Sequence, residues 1–221
     1  MDEPTAMPTE LDVLTLTQWF SPSFPIGGFA YSHGLEWAIE TGDVHDARSA
    51  QTWIANVLQN GAGWNDCLFI AAAYKSEGSA DIRLLDAKCR AFAASRERLK
   101  ETDLQGEAFC AVISDVWARD LRGLSYPVAV GRAVKLQDLP LGTATLMYLH
   151  SFLSNLAAVA MRLVPLGQTE GQRLINDLKP MLVDIARTAV DGDLDDLNST
   201  SFLADVASMK HETQYSRIFR T

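Results

Sequence analysis

The stretch Thr143–Leu163 reads TATLMYLHSFLSNLAAVAMRL and holds no acidic or basic residue before Arg162. On a helix, its apolar side chains cover nearly every face, and Pro165 follows where a helix would end. A transmembrane span is the alternative for the longer uncharged stretch 139–161. That stretch is interrupted by polar and helix-breaking residues, so we expect a buried core helix in a soluble protein. The interrupting residues are Pro140, Gly142, His150, Ser151, Ser154 and Asn155.

Helical patterns extend outward from this stretch in both directions. Thr9 to Asp12 has the form of a capping box, and Leu11, Leu14 and Trp19 follow at turn spacing. A strand fits best at residues 123–130, although Pro127 disfavours it. We therefore predict an all-α fold, a single domain over residues 1–221, with roughly eight to ten helices and little or no strand. Further helices are predicted at 30–41, 46–61, 65–75, 81–94, 95–119, 168–190 (bent at Pro180) and 200–209.

Composition narrows the class of protein. The 221 residues carry a net charge of −9, which disfavours a general nucleic-acid-binding role. Cys67, Cys89 and Cys110 are odd in number and far apart, so neither a disulfide scaffold nor a Cys-x-x-Cys metal site is expected. The first ten residues contain acids and prolines and lack an apolar run, unlike a secretory signal. These features predict a cytoplasmic protein that binds neither membrane nor nucleic acid.

Two segments depart from an ordinary helical protein. Residues 21–36 read SPSFPIGGFAYSHGLE, and residues 209–221 read MKHETQYSRIFRT. The second places Tyr215, Ile218 and Phe219 beside Arg217 and Arg220, a mixture that is typical of protein interfaces. Because a chain end has no turn to build, we interpret these residues as contacts for another protein.

No stretch carries a complete catalytic set. Residues 30–34 approach the Gly-x-Ser-x-Gly elbow of serine hydrolases around Ser32, but that elbow needs a preceding strand. The acidic turn from Asp191 lacks the Gly and Glu that a calcium loop requires, and no phosphate-binding P-loop is present. The four histidines are scattered, so we predict no catalytic residue, no cofactor and no metal ligand.

The segments described above resemble the UreF family of urease accessory proteins. The similarity runs through Ser21, Phe24–Gly27, Ser32 and Gly34–Glu36. It continues through Arg162–Gln168 with Gly171 and Gln172. It ends at the tail, with His211, Glu212, Gln214–Arg217 and Arg220.

This resemblance implies a homodimeric, non-enzymatic chaperone that helps insert nickel into apo-urease. The family bridges a scaffold protein, UreD or UreH, and the GTPase UreG, and modulates GTP hydrolysis. Nickel and GTP would then act in the wider complex. A chaperone that binds nickel directly is the alternative, and it would use His33, His211 or a cysteine. The resemblance also implies that segment 1–9 and tail 210–221 are flexible until they bind a partner.

The resemblance assigns roles residue by residue. Residues assigned to the scaffold contact are Phe24, Phe29, Tyr31, Tyr215, Arg217, Ile218, Phe219 and Arg220. Residues assigned to the GTPase contact are Arg162, Gln168 and Glu36. Residues assigned to the structure of the motifs are Pro25, Gly27, Gly34, Pro165 and Gly167. The chain departs from relatives at Phe29, where some carry tyrosine, and at Arg162, where lysine is frequent. Residues 97–106 follow the family only loosely.

Overall fold

The computed structural model describes residues 7–220 and confirms the all-α prediction. Within that part of the chain, ten α-helices and two short 3₁₀ turns occur, with no strand. The helices are α1 (Glu10–Trp19), α2 (Leu35–Glu40), α3 (Ala47–Asn60), α4 (Ala62–Lys75), α5 (Ser79–Ala91), α6 (Arg96–Trp117), α7 (Tyr126–Leu136), α8 (Leu141–Leu163), α9 (Gln168–Asp191) and α10 (Phe202–His211). The 3₁₀ turns span Gly28–Ala30 and Leu194–Asp196. Of the predicted flexible segment 1–9, residues 1–6 lie outside the described residues.

Side-chain caps fix where several helices begin. Thr9 accepts a hydrogen bond from the amide of Asp12, whose carboxylate accepts one from the Thr9 amide, so the predicted capping box is present. Asp46 caps α3 in the same reciprocal way through Ser49. Such caps satisfy amides that the first helical turn leaves without partners.

The centre of the protein is formed by two helices rather than one. Helix α8 packs against α9 and α2, as a core helix should, but α4 contacts α3, α5, α7, α8 and α9. Nine residues of α4 are buried, including Asp66, which directly precedes the apolar run Cys67–Ala73. The sequence pattern therefore predicted one of the two central helices, α8, and did not indicate that α4 is the other.

The region predicted as a possible strand is helical, which corrects that alternative. Helix α7 starts at Tyr126 with Pro127 in its first turn, where the missing amide hydrogen costs nothing. Every residue from Tyr126 to Gly131 is buried, and the helix packs against α4 and α6. Tertiary packing on both sides explains why the segment is apolar without forming a strand.

Two further helix predictions need correction. The helix expected at 30–41 is shorter, because His33 and Gly34 adopt left-handed backbone conformations with φ of 52° and 75°. In α1, Leu16 and Trp19 are buried, whereas Leu11 and Leu14 are 74% and 64% exposed. The first helix thus presents an apolar face to solvent.

Among the described residues, α8 is also the one helix long and apolar enough to cross a bilayer. In the structure it packs on neighbouring helices, and 56% of its most apolar window is buried. Buried core helices of this kind share the composition of membrane spans.

Candidate partner-binding surface

The loop between α1 and α2 presents one of its aromatic residues to solvent. Phe24 is buried, with its ring 5.6 Å from that of Phe109, and Tyr31 is buried as well. Phe29 is 72% exposed. Of the three loop residues predicted to contact the scaffold, Phe24 and Tyr31 therefore support the loop from inside, and Phe29 forms its outer surface.

The C-terminal tail returns across this loop and α2. The amides of Ile218 and Phe219 donate to the carboxylate of Glu36, at 2.7 and 2.9 Å. The amide of Arg220 donates to the carbonyl oxygen of Ala30 at 2.8 Å. The loop and the tail, which are almost two hundred residues apart in sequence, thus form one continuous surface.

A buried histidine holds the base of the tail. His211 is fully buried, and its Nδ1 and Nε2 lie 2.7 Å from Glu97 and 3.1 Å from Glu36. Ionised carboxylate oxygens only accept, so each of these contacts has the ring nitrogen of His211 as its donor. Arg217 pairs with the other oxygen of Glu97 at 2.6 Å. These charged hydrogen bonds fix the direction in which the tail leaves α10.

The tail residues divide into a buried anchor and an exposed face. Phe219 is 7% exposed, whereas Ile218 is 56% exposed and Tyr215 is completely exposed. The guanidinium of Arg162 lies 5.7 Å from the centre of the Phe219 ring, in a cation–π arrangement. Arg162, which was predicted to contact a GTPase, therefore lies beside the tail that was predicted to contact a scaffold.

The other two residues predicted to contact the GTPase, Gln168 and Glu36, differ in their exposure to solvent. Gln168 is exposed as the first residue of α9. Glu36 is 6% exposed, and its two oxygens are occupied by the tail and by His211. In this conformation Glu36 organises the surface from beneath and does not face solvent.

The predicted structural residues occupy turns and close contacts. Gly27 has a φ of 70°, which a side chain would strain. At Gly34, a Cβ atom would lie 2.7 Å from the backbone nitrogen of Ser208, so glycine permits α2 to approach α10. Gly167 is the N-cap residue of α9, while Pro165 and Pro25 lie exposed in the loops that precede α9 and the first 3₁₀ turn.

A buried charged cluster joins the loop to the core, and sequence reasoning missed it. Arg98 pairs with Glu101 one turn further along α6, and its guanidinium lies 3.9 Å from Asp66 on α4. His33 lies 3.2 Å from Glu101, and the Tyr148 hydroxyl donates to Asp66 at 2.7 Å. One usable signal was present in the sequence: Asp66 is the single acid in α4, a helix that is apolar from Cys67 to Ala73.

Burial and neighbouring charges act in opposite directions within this cluster. Burial raises the pKa of Asp66 to about 6, against the opposing attraction of Arg98. Burial also raises the pKa of Glu101, but Arg98 and His33 outweigh it and bring the pKa to about 2. Burial lowers the pKa of His33, and Arg98 lowers it further. A cavity of 580 Å³ between α4, α6 and α10 borders Asp66 and Arg98.

The described residues contain buried thiols and scattered candidates for metal ligands. All three cysteines are buried thiols, and burial raises the pKa of Cys89 to about 12 and that of Cys110 to about 11. Between residues 7 and 220, no group of three or more His, Cys, Asp or Glu side chains is arranged to hold a metal ion.

Comparison with known proteins gives a consistent result. The family model described as UreF matches residues 44–179. A relative from Ruegeria pomeroyi is 59% identical over 98% of this chain and 100% of its own length. Relatives from Roseobacter denitrificans and Rhodopseudomonas palustris are 50% and 42% identical, over 94% and 93% of this chain and 93% and 90% of their own lengths. Each of these relatives is named urease accessory protein UreF.

The fold and the site define an all-helical, single-domain protein whose loop and tail form a mixed apolar and charged surface. The matches cover most of the chain at high identity. The chain belongs to the UreF family.

Proposed function

We propose that this chain is a non-enzymatic accessory protein of urease maturation. It bridges a UreD or UreH scaffold protein and the GTPase UreG, modulates GTP hydrolysis and supports nickel insertion into apo-urease in the cytoplasm. Nickel and GTP are handled by the wider complex. Its relatives, which are named urease accessory proteins, support the general role, and the finer roles follow the resemblance in the motifs.

The joined loop and tail are the observation that carries the scaffold contact. Phe29, Tyr215 and Ile218 expose apolar area on adjacent segments, and Glu36 fixes those segments from beneath. Burying such side chains against a partner contributes about 1.5–3 kcal/mol each when the burial is complete. Because Glu36 already fixes the backbone of the tail, less backbone entropy is lost on binding, which favours a specific complex.

The GTPase contact is assigned to Arg162 and Gln168. Arg162 is the last residue but one of α8 and Gln168 begins α9, so both lie at the corner between these helices. Arg162 also touches Phe219, and this contact gives the scaffold side and the GTPase side a shared residue. Through this shared residue, binding of the scaffold protein would affect binding of the GTPase, and the reverse.

A homodimer is assigned to the exposed face of α1. Leu11 and Leu14 lie one turn apart on this helix and are both largely exposed. Paired apolar side chains on a helix without a partner in the monomer are suited to an isologous contact with a second copy.

Co-purification tests the scaffold contact. We expect Tyr215→Ser combined with Ile218→Ser to abolish capture of the scaffold protein and to leave helical circular dichroism unchanged. Leu84→Ser is the matched control, because Leu84 is 75% exposed on α5, away from the loop and tail. Deleting residues 215–221 should have the same effect as the double variant.

Measuring GTP turnover by UreG in the same preparations tests the second contact. Arg162→Ala should remove the effect of this chain on turnover and leave scaffold capture largely intact. Full capture of the scaffold by the tail variants would contradict the assignment of the scaffold contact to the tail. If the Arg162→Ala variant affects GTP turnover as the wild type does, the GTPase assignment is wrong.

A further inference from the structure

We propose that a basic pocket between the tail and α6 binds an acidic peptide segment of a protein partner. The pocket has a volume of 610 Å³ and is bordered by three cationic side chains and a single carboxylate. Apolar and aromatic side chains complete its walls. Its lining residues are Tyr31, Glu97, Lys100, Leu104, Arg217, Phe219 and Arg220.

The local charge of this pocket is opposite to that of the whole chain. The sequence has 28 acidic and 19 basic residues, so a site with three cations against one acid is not an average sample of its surface. Cations that converge on a concave, partly apolar site attract an anionic ligand and raise its local concentration. Long-range charge does not separate an acidic peptide from a nucleic acid, because an acidic chain repels both; the apolar and aromatic walls of the pocket favour the peptide.

The single carboxylate in the pocket, that of Glu97, already has partners within this chain. One oxygen of Glu97 contacts His211 and the other contacts Arg217. Within residues 7–220, the side chains of Lys100 and Arg220 form no ion pair, and both residues are exposed. These two cations are therefore free to meet carboxylates supplied by a partner.

The walls of the pocket favour an extended peptide over a free anion. Leu104 is 38% exposed along one side, and Phe219 closes the base. Burial raises the pKa of Tyr31, and the hydrogen bond between its hydroxyl and Arg220 opposes that rise. The arrangement offers cationic groups for acidic side chains and apolar area for the residues between them.

This proposal rests on the proposed function only in taking the partner to be a protein. Lys100 lies on α6 and takes no part in the tail contacts with Glu36 or Ala30. Its replacement therefore tests the pocket separately from the position of the tail.

Fluorescence anisotropy with the full-length chain and a labelled Glu-rich peptide tests the pocket. We expect binding of the Glu-rich peptide, little binding of a Gln-substituted peptide, and weaker binding as salt is raised from about 0.05 to about 0.5 M. Lys100→Glu should weaken binding roughly ten-fold or more, since it replaces an attraction by a repulsion. Lys88→Glu makes the same charge change at an exposed site on α5 and should have little effect. Lys100→Gln is measured as well, in case reversal of the charge affects folding.

Equal binding of the two peptides, or equal weakening by Lys88→Glu and Lys100→Glu, would overturn the proposal. Tighter binding of a single-stranded oligonucleotide than of the Glu-rich peptide would overturn it too, because the site would then prefer phosphates. Co-purification with the scaffold separates the two hypotheses. A chain that captures the scaffold but ignores the peptide contradicts only the pocket, and the reverse result contradicts only the proposed function.

Discussion

Glu36 determines how the tail and the loop meet. Its carboxylate accepts from two tail amides and from His211, so one buried side chain satisfies three donors. Backbone amides that are shielded from water need such an acceptor, and a charged acceptor is the strongest available. The tail is thus held by one residue whose own position is fixed in the first turn of α2.

Glu36→Gln should loosen the tail without unfolding the body. The amide side chain keeps a single oxygen acceptor and places an NH₂ group where His211 and the tail amides need an acceptor. We expect a loss of about 1–3 kcal/mol in tail docking, seen as faster hydrogen exchange at Ile218 and Phe219. Glu107→Gln changes an exposed acid on α6 and should leave exchange unaltered. Unchanged exchange in Glu36→Gln would contradict this role.

Asp66 should make stability depend on pH. Its pKa of about 6 in the folded state exceeds the ordinary value of 3.8, so the folded protein binds more protons between these limits. The contribution of this group to stability therefore falls as pH rises from about 4 to about 6. In the folded state Glu101, with a pKa of about 2, stays ionised throughout that window. Because its ordinary value is 4.5, it adds a slope of opposite sign near pH 4, which replacement of Asp66 leaves in place.

Asp66→Asn should remove this dependence and keep an acceptor for Tyr148. We expect the variant to match the wild type near pH 4 and to gain on it by up to about 3 kcal/mol at pH 7. Urea unfolding at several pH values measures the difference in free energy. Asp184→Asn, at an exposed position of α9, is the control. Parallel stability curves for wild type and Asp66→Asn would show that the cluster is not the cause.

At the scale of elements, local signals predicted where helices start better than where they pack. The predicted capping box at Thr9 is present, because a cap depends on residues three positions away. The face that α1 buries and the helical state of α7 depend on distant helices, so short-range patterns misjudged both. The charged cluster escaped notice for the same reason, since Asp66 and Arg98 meet only in the fold.

Ser95 shows a cap that also joins two helices. Its hydroxyl accepts from the amide of Arg98 at 3.1 Å and lies 2.8 Å from the Ser208 hydroxyl on α10. Ser95→Ala should therefore cost about 1–2 kcal/mol of unfolding free energy, since both contacts disappear in a buried site. Chemical denaturation measures this, with Ser79→Ala at an exposed site on α5 as the control. A cost equal to that of the control would contradict the joint role.

At the scale of the whole molecule, the loop and the tail that form the candidate surface come from opposite parts of the sequence, and the residues between them supply most of the core. The partner contacts stay a prediction, but the resemblance singled out segments that meet around Glu36 and Arg162 in the fold. It did not reveal which of their side chains face outward, because Phe24, Tyr31 and Phe219 look identical to exposed anchors in sequence. Burial of an aromatic residue is decided by the elements around it.

The exposed face of α1 should control assembly of two copies. Leu14→Arg places a charge where an isologous contact would bury apolar area, and it does so once on each protomer. We expect the wild type to sediment as a dimer and the variant to sediment as a monomer at the same concentration, with unchanged helical circular dichroism. Leu84→Arg makes the same change at an equally exposed leucine on α5 and should leave the dimer intact. A dimer that persists in Leu14→Arg would place the contact elsewhere on the molecule. Because α1 leads directly into the loop that carries Phe29, loss of the dimer should also reduce scaffold capture.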